Sequence, residues 1–259
     1  MRKFDYIYAD PTGNITILVK ENVPVEDQPG VSDFLCTLEP SCEQVGFVYY
    51  DDENADIRLR MAGGEFCGNA TMSTAALFAR ENGIALGEEI NVKVRTSGTK
   101  DIVNVSISLK ENGIYSGCVK MPMPIEIKTV KLRYGDIEYT VPLVKFDGMY
   151  HLIFEKELSK SDAENAIVKW AKDLNAPALG IMMLNEEEKT LTPLVYVPSL
   201  NAFYWEHSCA SGTTATGYYL FKKYSRPIDF ELSEPGGILN IRVDGDEELY
   251  LSGHVRFRE

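Results

Sequence analysis

The chain is short of cysteine, histidine and basic residues, and each shortage removes a class of function. Its 259 residues carry only 5 Cys, an odd number with no Cys-x-x-Cys spacing, which excludes a secreted disulfide framework. The three histidines, His151, His207 and His254, are too scattered for a metal site, and no His/Cys cluster has ligand spacing. Against 39 acidic residues stand 26 basic ones, a net charge of -13 that repels phosphate backbones and anionic lipid and argues against nucleic acid as a partner. No stretch approaches eighteen consecutive apolar residues, so no transmembrane helix is expected. The start, Met1 to Tyr8, has no long apolar run behind its two basic residues and does not read as a signal peptide, which makes the cytoplasm the expected location. Gly63-Gly64 is unaccompanied by a Walker lysine or a GxGxxG turn, so no nucleotide cofactor is expected.

What remains is an ordinary globular composition. With 44% hydrophobic and 25% charged residues the chain can bury a real core, and its length favours two modest domains over one. Short β-branched or alternating runs predict strands at Ile15–Lys20, Gly46–Tyr50, Ile57–Met61, Ile90–Thr96, Ile102–Leu109, Glu138–Val144, Leu191–Val197 and Leu239–Val243. Ser161-Asp162-Ala163-Glu164 reads as a capping box opening an amphipathic helix to about Leu174. Two further helices start near Cys67 and Cys209, both rich in small residues that suit close packing inside a sheet. Met121-Pro122-Met123-Pro124 cannot continue regular pairing and is the natural linker. The expected organisation is a mixed α/β (α+β) chain of two lobes, residues 1–120 and 121–248, with a final strand 249–259 returning to the first.

One internal repeat stands out. Phe66-Cys67-Gly68-Asn69-Ala70-Thr71-Met72-Ser73-Thr74-Ala75 aligns with Ser208-Cys209-Ala210-Ser211-Gly212-Thr213-Thr214-Ala215-Thr216-Gly217. Cysteine, Thr at +4 and Thr at +7 coincide, and acidic Glu65 and Glu206 lie just upstream. A helix N-terminus offers free N–H groups and partial positive charge, which lower a thiol pKa and hold an anion. Two lobes facing each other would flank one bound carboxylate with two thiols. One thiolate then removes an α-proton while the other thiol returns a proton to the opposite face, which inverts the stereocentre.

Glu65-Phe66-Cys67-Gly68-Asn69-Ala70 and Cys209-Ala210-Ser211-Gly212-Thr213 resemble the two cysteine motifs of the diaminopimelate epimerase-like, cofactor-independent amino-acid racemases. Gly13-Asn14, Gln44, Pro235-Gly236-Gly237 and Leu251-Ser252-Gly253 match as well, over essentially the whole chain. Longer segments, Gly13–Val19, Cys42–Phe47, Cys67–Ser73 and Trp205–Cys209, resemble more closely still the histidine racemases of the staphylopine-pathway type within that family. The resemblance implies pseudo-symmetric lobes, each a curved sheet or barrel around a central helix, a homodimer, and no cofactor or metal. It implies Cys67 and Cys209 as the acid/base pair and Gly68, Asn69, Ala210 and Ser211 as N–H donors to the substrate carboxylate. Asn14 and Gln44 would contact the small-molecule substrate. Where the family usually has Gly in the second motif this chain has Ala210, a change that preserves the N–H.

Departures from the family pattern bear on the substrate. Diaminopimelate epimerases grip a distal amino-acid end with asparagines and a Glu-Arg pair, but residues 200–208 contain no arginine, and Met61, Met149 and Met182 align with the asparagines. Leaving such buried charges unpaired costs about 3–5 kcal/mol. Glu43 and Glu206, with Tyr204 and Trp205 beside them, suit an imidazole instead, although on composition alone both acids read as solvated surface carboxylates. The expected activity is therefore interconversion of L- and D-histidine. The alternatives are diaminopimelate epimerisation, racemisation of another amino acid, or a non-enzymatic amino-acid-binding or thiol redox-sensing protein. Cys36, Cys42 and Cys118 lie outside the repeat and read as buried or incidental thiols.

Overall fold

A computed structural model of the chain describes residues 4–246 and 248–258. These form two compact units, Met1–Met121 with Tyr250–Glu259, and Pro122–Leu249. The first holds β1 (Tyr6–Pro11), β2 (Thr16–Val19), α1 (Gln28–Leu38), β3 (Gln44–Tyr49), β4 (Ile57–Met61), α2 (Gly68–Glu81), β5 (Glu89–Thr96), β6 (Ile102–Leu109) and β7 (Tyr115–Met121). The second holds β8 (Glu126–Tyr134), β9 (Ile137–Phe146), β10 (Met149–Phe154), α3 (Lys160–Asp173), β11 (Leu179–Asn185), β12 (Thr190–Val197), β13 (Ala202–Trp205), α4 (Ala210–Tyr224), β14 (Ile228–Glu234) and β15 (Gly237–Val243). The last strand, β16 (Leu249–Arg258), runs antiparallel to β1 with Tyr8 opposite Arg258 and Pro11 opposite Val255. The mixed α+β class expected from the sequence is the class found.

The first unit is a closed barrel. Its strands follow the order β1-β2-β3-β4-β5-β6-β7-β16, and the β1–β16 ladder closes the ring. Along β4 the alternation Ile57, Leu59, Met61 inward and Arg58, Arg60 outward is the period-2 pattern of a sheet with one buried face. Helix α2 fills the barrel: it packs on β1, β2, β4, β5, β6 and β7, and all of its first ten residues are buried. Seven of those ten are Gly, Ala, Ser or Thr, which lets the strands approach closely. A Cβ placed on Gly117 of β7 would come within 2.4 Å of Met72 on α2, so the strand crosses the helix at a distance that requires glycine.

The second unit has the strand order β15-β14-β12-β11-β10-β9-β8, with β13 on the β12 flank. Helix α4 packs on β9, β10, β11, β14 and β15, and Gly217 of α4 meets Ile241 of β15 as closely as Gly117 meets Met72, 2.3 Å from an added Cβ. A separate apolar cluster seats α3 on the strands, with the Trp170 ring stacked on Phe154 at 5.5 Å. The N-cap of α3 is Ser159, two residues ahead of the Ser161 that the sequence pattern offered. The Ser159 Oγ accepts the Asp162 N–H at 3.1 Å and donates to the Asp162 carboxylate at 2.7 Å. Among the described residues no helix is long and apolar enough to cross a membrane.

Candidate active site

The two repeated motifs adopt one local structure. Cys67 is the N-cap of α2 with φ -131° and ψ 114°, and Cys209 is the N-cap of α4 with φ -123° and ψ 99°. Each Sγ accepts the N–H three residues on, from Ala70 and from Gly212, at 3.4 Å in both cases. The shared threonines explain why the repeat keeps Thr at +4. Thr71 Oγ1 donates to the Cys67 carbonyl at 2.7 Å and Thr213 Oγ1 reaches the Cys209 carbonyl at 2.8 Å, locking each cysteine to the first turn behind it. A thiol at a helix N-terminus sits in the positive end of the macrodipole, next to N–H groups that suit an anion.

In the first unit, hydrogen bonds join Cys67 to residues from β2 and β3. The thiol donates to Gln44 Oε1 at 3.0 Å, and the Gln44 amide nitrogen donates to Asn14 Oδ1 at 2.6 Å and Thr16 Oγ1 at 2.8 Å. The Asn14 amide in turn donates to Glu43 Oε2 at 2.6 Å. Parallel pairing of β2 with β3 sets Thr16 opposite Gln44 and so brings these residues together. Glu43, Asn14, Gln44 and Cys67 thus form one connected chain, although Asn14 and Cys67 lie 53 positions apart in sequence.

In the second unit the surroundings of Cys209 are acidic and dry. Glu234, at the end of β14 and 5% exposed, accepts the Cys209 backbone N–H through Oε2 at 2.8 Å and bonds Thr213 Oγ1 through its other oxygen. Burial pushes the Glu234 carboxyl up to about 8, with the nearby Glu206 adding to the rise and the Thr213 and Cys209 bonds opposing it. Burial also drives the Cys209 thiol well above the usual thiol range, helped by Glu206, which hydrogen-bonds it, and by Glu234. On the other flank, Ser211 Oγ lies 3.7 Å from the Cys209 Sγ and 3.0 Å from Nε2 of His151 on β10. His151 is fully buried, and desolvation lowers it to about 3, so the ring is neutral. With a buried acid that is neutral at pH 7 on one side and a neutral imidazole on the other, Cys209 is held as the thiol.

Other candidates fall differently. Gly68, Asn69 and Ala210 are buried in the first turns of α2 and α4, and Ser211 is half-buried there. Glu65 is exposed, while Glu206 bears on its cysteine. The Trp205 indole donates to Glu164 of α3 at 2.8 Å and packs against the α3 core, so this ring serves the second unit's interior. Met182, fully buried on β11, packs against Gly212 beside Cys209. Cys36 and Cys42 are half-buried, free and next to one another. Glu234 and His151 were not singled out from the sequence. Phe230, Leu232 and Glu234 occupy one alternating face of β14, and an acid where that face calls for an apolar residue is the signal that marks it.

Strands packed on a buried helix that is capped by a cysteine, present in each unit, define an epimerase-like α+β protein. Solved structures of that fold include a hydroxyproline epimerase from Agrobacterium vitis with bound trans-4-hydroxy-L-proline, at 11% identity and a TM-score of 0.69, covering 100% of this chain and 92% of that one. A phenazine biosynthesis protein of the PhzF family from Bacillus anthracis gives 15% identity and a TM-score of 0.68, covering 100% and 98%. Sequence narrows the class. The chain belongs to the histidine racemase family, an isomerase family: the family described as histidine racemase CntK N-terminal domain matches residues 3–257. A histidine racemase from Fusobacterium nucleatum subsp. nucleatum is 35% identical, over 97% of this chain and 93% of its own.

Proposed function

We propose that the chain interconverts L- and D-histidine without a cofactor, using Cys67 and Cys209 as the two acid/base groups. The observation that carries this reading is the matched pair of cysteine N-caps, each tied to a Thr at +4 and each accepting an N–H from its own helix. One thiolate takes the α-proton and the other thiol returns a proton to the opposite face, so no net proton is consumed. Backbone N–H groups of Gly68, Asn69, Ala210 and Ser211 hold the substrate carboxylate and stabilise the charge that builds on it as the Cα–H bond breaks. Asn14 and Gln44 orient the substrate. Glu43 and Glu206 supply negative charge for the imidazole or ammonium of a basic amino acid. A cytoplasmic homodimer completes the reading.

The test is proton exchange. Purified protein incubated with L-histidine in D2O should yield D-histidine carrying deuterium at the α-carbon, and Cys67→Ala or Cys209→Ala should each lower turnover by at least about a thousandfold, within the range of a lost general acid or base. Full turnover in either variant sinks the two-thiol mechanism. Exchange with another amino acid but none with histidine sinks the substrate assignment.

A further inference from the structure

Cys36 and Cys42 stand apart from the cysteine motifs, yet their sulfurs lie 2.7 Å from one another. A covalent S–S bond is about 2.0 Å long, so a small adjustment of either side chain would bring them to bonding distance. Both residues are half-buried at the edge of the cluster formed by Ile17, Val19, Leu35, Val45 and Phe47. Cys36 is in the last turns of α1, and Cys42 follows a tight turn in which its N–H bonds the Glu39 carbonyl at 2.9 Å. The Cys42 sulfur also lies 3.3 Å from the Gln44 carbonyl. The next two residues, Glu43 and Gln44, are those whose side chains lead to Asn14 and Cys67.

We propose that Cys36 and Cys42 are a dithiol site that closes to a disulfide and thereby stiffens the segment delivering Glu43 and Gln44. The hydrogen bond from Cys42 lowers the Cys36 pKa, which makes Cys36 the attacking sulfur. The co-reactant is a low-molecular-weight disulfide such as oxidised glutathione. The Cys36 thiolate attacks one sulfur, a Cys36–glutathione bond forms, and the first glutathione leaves as a thiolate. Cys42, giving up its proton, then attacks the Cys36 sulfur, the second glutathione leaves, and the protein has lost two hydrogens while the glutathione disulfide has become two thiols. Bond formation is independent of the racemase reading; only the consequence for substrate contacts at Glu43 and Gln44 rests on it.

The experiment uses the full chain with both motif cysteines removed, Cys67→Ser and Cys209→Ser, so that their oxidation cannot intervene. After exposure to oxidised glutathione, the protein is denatured, alkylated and digested with trypsin, which places both sulfurs on the single peptide 21–58. The expected product is that peptide unalkylated and two hydrogens lighter, while Cys118 still takes the label. Two labels on the peptide, or a glutathione retained on Cys36, overturn the proposal. Adding Cys36→Ser should leave Cys42 open. Hydrogen exchange at residues 39–44 should slow by about tenfold on oxidation, as expected when a local opening is cross-linked; unchanged exchange in a fully closed sample overturns the stiffening.

Discussion

Glu234 accepts the backbone N–H of Cys209 at 2.8 Å, and through its other oxygen it also bonds the threonine that locks the same turn. One buried carboxyl therefore spans both ends of the first turn of α4. A threonine hydroxyl has one proton to give. Thr213 Oγ1 lies 2.8 Å from the Cys209 carbonyl, and Thr71, Thr214 and Thr216 all donate to the carbonyl four residues back. If Thr213 does the same, the carboxyl must be the donor on that side, which requires its neutral form.

Glutamine reproduces that neutral form. Glu234→Gln should keep kcat within about threefold at pH 7, whereas Glu234→Ala, which strands a buried N–H worth about 1–3 kcal/mol, should lose roughly tenfold or more. Above pH 8 the native carboxyl ionises and places negative charge beside Cys209, so the native rate should fall on the alkaline side. The pH–rate profile of the glutamine variant should lack that limb. A large loss in the glutamine variant at pH 7, with folding intact, would show that the anion is the working form.

Stability should carry two opposed signatures. Glu234 has its carboxyl raised from 4.5 to about 8 in the fold, so its contribution is fully present below pH 4.5 and is lost as pH rises through about 8. His151 is lowered from 6.5 to about 3, so its contribution is present above pH 6.5 and is lost as pH falls through about 3. The two slopes cancel between 4.5 and 6.5. Denaturant unfolding across pH 3–9 should show Glu234→Gln flattening the decline from 6.5 to 8, and His151→Asn flattening the decline below 4.5. Unchanged slopes in both variants contradict these assignments.

Legibility in the sequence follows the physics of each element. β4 and β6 begin and end at the residues read from alternation, because each has one buried and one wetter face between turn residues. β10 and β11 escaped because their burial is nearly continuous, and a short apolar run without alternation does not distinguish strand from helix. α1 opens on Gln28-Pro29-Gly30, which reads as a turn, yet proline is well tolerated at a helix start. The cysteine caps were legible because capping is local and the motif occurs twice. Glu234 and His151 were not, because their burial comes from α4 packing on β14 and β10, contacts far apart in sequence.

The two motif cysteines should differ in reactivity. Cys67 is half-buried, while Cys209 is 4% exposed and its thiol is pushed well above the ordinary range by burial and by Glu206 and Glu234. Since the thiolate is the nucleophile, iodoacetamide at pH 7 should label Cys67 at least about tenfold faster than Cys209. Peptide mapping at short times reads the ratio. Equal rates would mean that Cys209 is not held as the thiol. Glu206→Gln removes one of the charges that raise it and should speed Cys209 labelling.

Gly212 couples the cysteine to the methionine on β11. A Cβ at this position would fall 2.1 Å from Met182 Sδ and 3.1 Å from Cys209 Sγ, so Gly212→Ala must displace one of them. Met182 is fully buried and has little room to yield, although its end is flexible; overpacking of this kind costs about 1–3 kcal/mol. Part of the displacement should reach the thiol, so kcat should drop about tenfold or more, a barrier change of about 1.4 kcal/mol. Shortening the opposing side chain tests the route. Met182→Ala opens the space that the new methyl needs, so Gly212→Ala should cost less kcat in that background than in the native one, a coupling that a double-mutant cycle measures directly. Additive losses would show that the methyl acts on α4 itself rather than through Met182.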